Sequence, residues 1–109
     1  MATVTGFLQD NDGVYIDKDT SAKLTYTLDW SQWLPTGQTI STSNWSLETF
    51  SGDAAPLVNE AASIVSSKTL ITVSGGTSGK IYKVYNTITT SGGLIDRRYF
   101  RLKLKSRSL

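Results

Sequence analysis

Between residues 22 and 30 apolar and polar positions alternate almost strictly. Ala22, Leu24, Tyr26, Leu28 and Trp30 fall on one side, and Lys23, Thr25, Thr27 and Asp29 on the other. A period of two marks a β-strand with one buried and one wetted face. Residues 68–74 and 81–89 read the same way, with Ile71 and Val73 in the first and Tyr82, Val84, Asn86 and Ile88 sharing a face of the second. Between them lies Ser74-Gly75-Gly76-Thr77-Ser78-Gly79. Its glycines supply the positive-φ positions of a tight reversal, so residues 70–90 predict a β-hairpin. Asn86, on the apolar side, needs a hydrogen-bond partner if buried.

Elsewhere the pattern is weaker. Residues 1–12 show little periodicity and end in the turn-like Asp10-Asn11-Asp12-Gly13, an arm that orders on a partner or on the domain edge. Val14-Tyr15-Ile16 reads as a short strand and Asp17-Lys18-Asp19 as a turn. Residues 31–37, with Pro35 and Gly37, form a corner, and residues 38–47 run extended on Ile40, Trp45 and Leu47. Gly52, Ala54, Ala55 and Pro56 mark a loop. After it, residues 57–62 are either a short strand or one helical turn. Residues 63–66 are a strand, Ser91-Gly92-Gly93 a turn, and residues 95–105 the last strand. About seven short antiparallel strands in one domain predict an all-β, immunoglobulin-like β-sandwich. The expected divisions are an arm at 1–13, the sandwich at 14–105 and a tail at 106–109. The expected core takes Leu24, Tyr26, Leu28, Trp30 and Trp45 from the first half, and Ile71, Val73, Tyr82, Val84, Ile88, Phe100 and Leu102 from the second.

With 109 residues and no cysteine, the chain stands on packing alone, without disulfides or thiolate metal sites. It also lacks histidine, so the commonest general base and transition-metal ligand are missing together. No enzyme and no cofactor are expected. No apolar run approaches membrane-spanning length and the start lacks a secretory pattern, so neither a membrane nor a leader is expected. Serine and threonine outnumber the charged residues, but aromatic and branched aliphatic residues are spread throughout, as in a folded Thr-rich β domain.

Candidate chemistry sits in two places. Trp30, Trp33 and Trp45 suit either a sugar-stacking platform or a hydrophobic interior. Periodicity places Trp30 and Trp45 inside and leaves Trp33, at a corner, as a cap or an exposed anchor for another chain. In the last strand Arg97, Tyr99, Arg101, Lys103 and Lys105 share one side while Phe100, Leu102 and Leu104 take the other. Such a stripe is a solvated face that discourages edge-to-edge aggregation, a contact for an acidic neighbour, or a phosphate binder. The formal net charge of only +2 weighs against nucleic acid. Asp17, Asp19 and Asp29 read as solvated turn formers, with no partner acid for glycoside hydrolysis. Asp10-Asn11-Asp12-Gly13 lacks the distal glutamate of a calcium loop, and the Gly75-Gly76 turn has no helix behind it to hold phosphate.

Several motifs in fixed order carry a resemblance. They are Asp29-Trp30-Ser31-Gln32-Trp33-Leu34, Ser43-Asn44-Trp45, Ser74-Gly75-Gly76-Thr77, and Asn86-Thr87-Ile88-Thr89-Thr90, closed by Asp96-Arg97-Arg98-Tyr99-Phe100-Arg101-Leu102. Over residues 18–105 the chain resembles the fiber-tail adaptor proteins of tailed bacteriophages. It departs from their pattern at Thr20, where they carry proline after Lys-Asp, and in a longer, Ala-rich stretch at 48–67. The resemblance implies an immunoglobulin-like fold, no catalysis, and a structural place in the virion. There the protein joins the tail to fibres or another tail component, in several copies arranged as a symmetric ring and assembled in the host cytoplasm. A head or tail decoration protein and a carbohydrate-binding β-sandwich module are the alternatives.

Overall fold

The fold is seen in a computed structural model that describes residues 3–4, 8–10 and 13–105. Nine strands and no helix are found among these residues: β1 (Thr3–Val4), β2 (Leu8–Asp10), β3 (Gly13–Asp19), β4 (Leu24–Asp29), β5 (Ile40–Leu47), β6 (Leu57–Val65), β7 (Lys68–Gly75), β8 (Ile81–Thr90) and β9 (Ile95–Lys105). The last seven are the longer ones, and β1 and β2 are short additions from the expected arm. The remainder of that arm, including Asn11 and Asp12, and the tail at 106–109 lie outside the described residues.

The strands form two sheets, one ordered β1-β4-β7-β6 and the other β2-β3-β9-β8-β5. Their apolar sides meet in a single core. From the first sheet come Tyr26, Leu28, Ile71 and Val73, with Trp30 just beyond β4; from the second come Tyr82, Val84, Ile88, Phe100, Leu102 and Leu104. Two expected core residues differ. Trp45 is half-buried on the marginal strand β5. Leu24, although it points inward opposite Val73, opens β4 at an end of the sheet and is 42 % exposed.

Pairing overturns three expectations. β7 and β8 are no hairpin, because they belong to different sheets: β7 is flanked by β4 and β6, and β8 by β9 and β5. Both in-plane sides of each strand are occupied, so the glycine-rich loop carries the chain across the core. Gly75 and Gly76, at φ 78° and 100°, make that crossing, and a Cβ on Gly76 would lie 2.6 Å from the Leu104 side chain. Nor are all pairs antiparallel, since β3 runs parallel to β9. In consequence β9 is an interior strand between β3 and β8, and its charges cannot serve to protect a sheet edge. The ambiguous stretch after Pro56 resolves as one strand, β6, paired with β7 through a two-residue turn at Ser66-Ser67 and bulged between Asn59 and Ala61.

Two polar clusters tie the sheets together. Asn86 is fully buried and accepts from Trp30 Nε1 at 3.1 Å and from Thr69 Oγ1 at 2.7 Å. Its Nδ2 donates to Ser43 Oγ at 2.9 Å and to the Asn44 carbonyl at 3.2 Å. The partner its position demands is thus found on both sheets. Lys18 lies within β3 where a turn is expected, and its side chain points inward and is buried. Its ammonium donates to the carbonyls of Asp19 at 2.9 Å and Gly75 at 2.8 Å, and burial lowers its pKa.

Candidate functional site

The outer face of the larger sheet carries the candidate site, and strand register builds it. Odd-numbered residues of β9 point away from the core, as do those of β3 and β8, because the buried residues of all three, Arg101 apart, stand at even-numbered positions. Register then sets Tyr15 beside Arg101 and Asp17 beside Lys103 on one flank. On the other flank Ile81 meets Lys103, Lys83 meets Arg101, Tyr85 meets Tyr99, and Thr87 meets Arg97.

Rings and cations interleave across these strands. Tyr85 and Tyr99 pack with centroids 5.4 Å apart. The Arg97 guanidinium lies 4.8 Å from the centre of the Tyr85 ring, and Lys83 Nζ 5.6 Å from that of Tyr99. Lys103 Nζ sits 3.8 Å over Tyr15, with the Arg101 guanidinium 5.7 Å from the same ring. Each such contact contributes about 0.5–1 kcal/mol at an exposed site. More to the point, it restrains a long cationic side chain, so less rotamer freedom remains to be lost when another surface arrives. Arg101, in the middle of the set, is only 7 % exposed and supplies packing as well as charge. Apolar side chains flank the set, with Ile81 at 45 % and Ile95 at 69 % exposure.

Charge is unevenly spread over this face. Toward the end of β9, Asp17 pairs with Lys105 at 3.3 Å and Asp19 lies opposite Lys105 in register. Around Arg97 and Tyr99 the neighbouring strand β5 offers Asn44 and Ser46, opposite Thr87 and Tyr85, and Glu48 follows beside Lys83, its Oε1 accepting the Lys83 amide at 3.0 Å. Positive charge, aromatic surface and apolar surface therefore coincide at the β8–β9 half. Arg, Tyr and apolar side chains together suit a protein partner more than a bare polyanion.

The five stripe residues Arg97, Tyr99, Arg101, Lys103 and Lys105 thus share a face, and the sixth candidate does not join them. Trp33 lies in the corner after β4, half-buried, with its ring edge-on to Trp30 at 5.5 Å between centroids. Trp30 is fully buried, so the three tryptophans form no flat platform for a sugar ring. Sequence reasoning missed Tyr15, Ile81, Lys83 and Tyr85. Alternation along β8 carries the signal for its three, whereas Tyr15 depends on the parallel pairing of β3 with β9.

A third polar cluster closes one end of the core. Asp53 accepts from Thr77 Oγ1 at 2.5 Å, from the Tyr82 hydroxyl, and from the Ala55 amide at 3.1 Å. Hydrogen bonds from Thr77 and Tyr82 hold the Asp53 pKa below the ordinary carboxylate value, while burial and the Asp53 bond push that of Tyr82 up. The Tyr82 hydroxyl also accepts from the Thr77 amide at 3.0 Å. All three groups are spent on one another, which marks a fastening between loops.

Comparison with known proteins gives one finding. A family model described as podophage GP4 fiber-tail adaptor protein gp77 matches residues 18–103, most of the chain. No curated protein matches it.

Proposed function

The chain belongs to the podophage GP4 fiber-tail adaptor family, and from that premise we propose that it is a structural virion protein joining a phage tail to its fibres through protein–protein contacts. The observation that carries the docking surface is the cation–ring lattice on β3, β9 and β8, with Ile81 and Ile95 exposed beside it. Tail and fibre proteins are the partners, met by Arg97, Tyr99, Arg101, Lys103 and Lys105 on that face and by Trp33 at the corner. Several copies stand in a symmetric ring, as closed tail symmetry favours. Residues 1–13 serve as an arm and 106–109 as a tail flanking the 14–105 domain, and assembly takes place in the host cytoplasm.

The fold reading within this proposal is an immunoglobulin-like sandwich. The order β1-β4-β7-β6 against β5-β8-β9 supports it, because it reproduces the A-B-E-D and C-F-G sheets of that architecture. The Tyr82 hydroxyl supports it too, since it bonds the backbone five residues upstream at the start of β8, in the manner of a tyrosine corner.

Electron microscopy of particles made without this protein tests the role. Tails lacking fibres are expected; fully fibred particles refute the adaptor reading and leave a decoration protein in its place.

A further inference from the structure

Strand β6 borders the smaller sheet with β7 as its neighbour on one side only. Eight of its nine residues are exposed, among them Val58, Ile64 and Val65 at 47, 39 and 55 %. Such borders are normally blunted by proline, lysine, shortness or a bulge. β6 has one of these devices, the bulge that holds Glu60 between Asn59 and Ala61. Beyond it Ala61-Ala62-Ser63-Ile64-Val65 runs uncharged and without proline. Alternate residues there present backbone N–H and C=O groups away from the sheet.

We infer that this border pairs antiparallel with β6 of a second copy, about a two-fold axis through Ser63, and so joins two four-stranded sheets into one. The register follows from side-chain parity. In a continuous antiparallel pair, residues directly opposite share a face, so a two-fold axis normal to the sheet must pass through a residue and not between two. Ser63 is the middle of the uncharged run. Centred there, Ala61 of each copy faces Val65 of the other, Ala62 faces Ile64, and Ser63 faces itself. Val58, Ala61, Ser63 and Val65 share the outer face, as their β7 partners Ser74, Thr72, Leu70 and Lys68 require.

Charge selects a second copy as the occupant. Glu60 is held on the outer face by Ser74 Oγ at 2.5 Å. The two Glu60 residues fall roughly 20 Å apart, at six residues of strand rise, so like charges do not meet. Each instead approaches Lys68 of the other copy, two strands away and roughly 10 Å between Cα atoms, within reach of an ion pair of long side chains. Lys68 lies on that outer face, opposite Val65. The edge is therefore complementary to itself. This pairing leaves the basic face of the larger sheet uncovered and does not depend on the adaptor reading.

The absence of cysteine makes the test clean. Ser63→Cys is expected to give a disulfide-linked dimer on mild oxidation, whereas Ser46→Cys, on the exposed border strand of the other sheet, is expected to stay monomeric. Ser63→Lys sets two ammonium groups face to face and is expected to shift sedimentation from dimer to monomer with an unchanged circular dichroism spectrum. Ser63→Glu is expected to do the same, and mixing the two variants to restore the dimer. Wild-type protein that sediments as a monomer at every concentration, cysteine variants that cross-link equally, or a dimer indifferent to Ser63→Lys each overturn the inference.

Discussion

Two buried polar groups show how single residues hold this fold and how far alternation can reveal them. Asn86 sits on an apolar face in a plain two-residue period, so its burial and its need of a partner were legible in the sequence; that the partners are Trp30, Thr69 and Ser43 depends on how the sheets meet. Asn86→Leu takes away the acceptor of the Thr69 hydroxyl proton, although Thr69 Oγ1 still accepts from Trp30 Nε1 at 3.1 Å, and is expected to lower unfolding free energy by about 1–3 kcal/mol, read from urea denaturation. Lys18 was not legible, because an Asp-Lys-Asp run reads as a turn until β9 is seen to pair alongside it. Asp53 makes a prediction in acid. Its folded pKa lies below its unfolded value of 3.8, so its stabilisation is complete above 3.8 and is lost as pH falls through the folded value. Asp53→Asn is expected to flatten that part of the acid unfolding curve; a curve as steep as wild type shows that other groups govern it.

At the scale of elements, the strands themselves were readable and their partners were not. Alternation locates β4, β7, β8 and β9 to within a residue or two of their ends, since burial of one face imposes the period. It says nothing of which strand lies beside which. Glycines between two amphipathic strands serve an in-plane reversal and a crossing between layers equally well, so the β7–β8 connection reads as a hairpin from sequence. The crossing has its own requirement. Gly76 at φ 100° has Leu104 and Leu57 where a side chain would go, and Gly76→Ala is expected to cost about 1–3 kcal/mol from backbone strain before any steric term. Thermal unfolding checks it, with Gly79→Ala, whose Cβ meets open space at a similar positive φ, separating strain from crowding. Thr20 offers a smaller instance: its amide donates to the Lys105 carbonyl at 3.2 Å, a bond that proline could not make.

For the whole molecule, the proposed function rests on which side chains the two sheets turn outward. The stripe on β9 was legible from alternation, but the rings that order it came from β3 and β8 and needed register. At its far end Asp17 reaches Lys105 at 3.3 Å, and Glu48 stands beside Lys83, accepting its amide at 3.0 Å. Lys83→Glu combined with Arg97→Glu reverses the sign at the other end and is expected to reduce incorporation into particles several-fold, scored by immunoblot of purified virions. Loss of the two cation–ring contacts is expected to cost about 1–2 kcal/mol of stability and to leave the fold intact. The central claim is that this protein meets its neighbours through that face. A virion reconstruction at side-chain resolution tests it most directly. The chain is expected between tail and fibre with Arg97, Tyr99 and Tyr85 covered by an adjoining protein; the same face turned to solvent, or the chain found on the head, contradicts this.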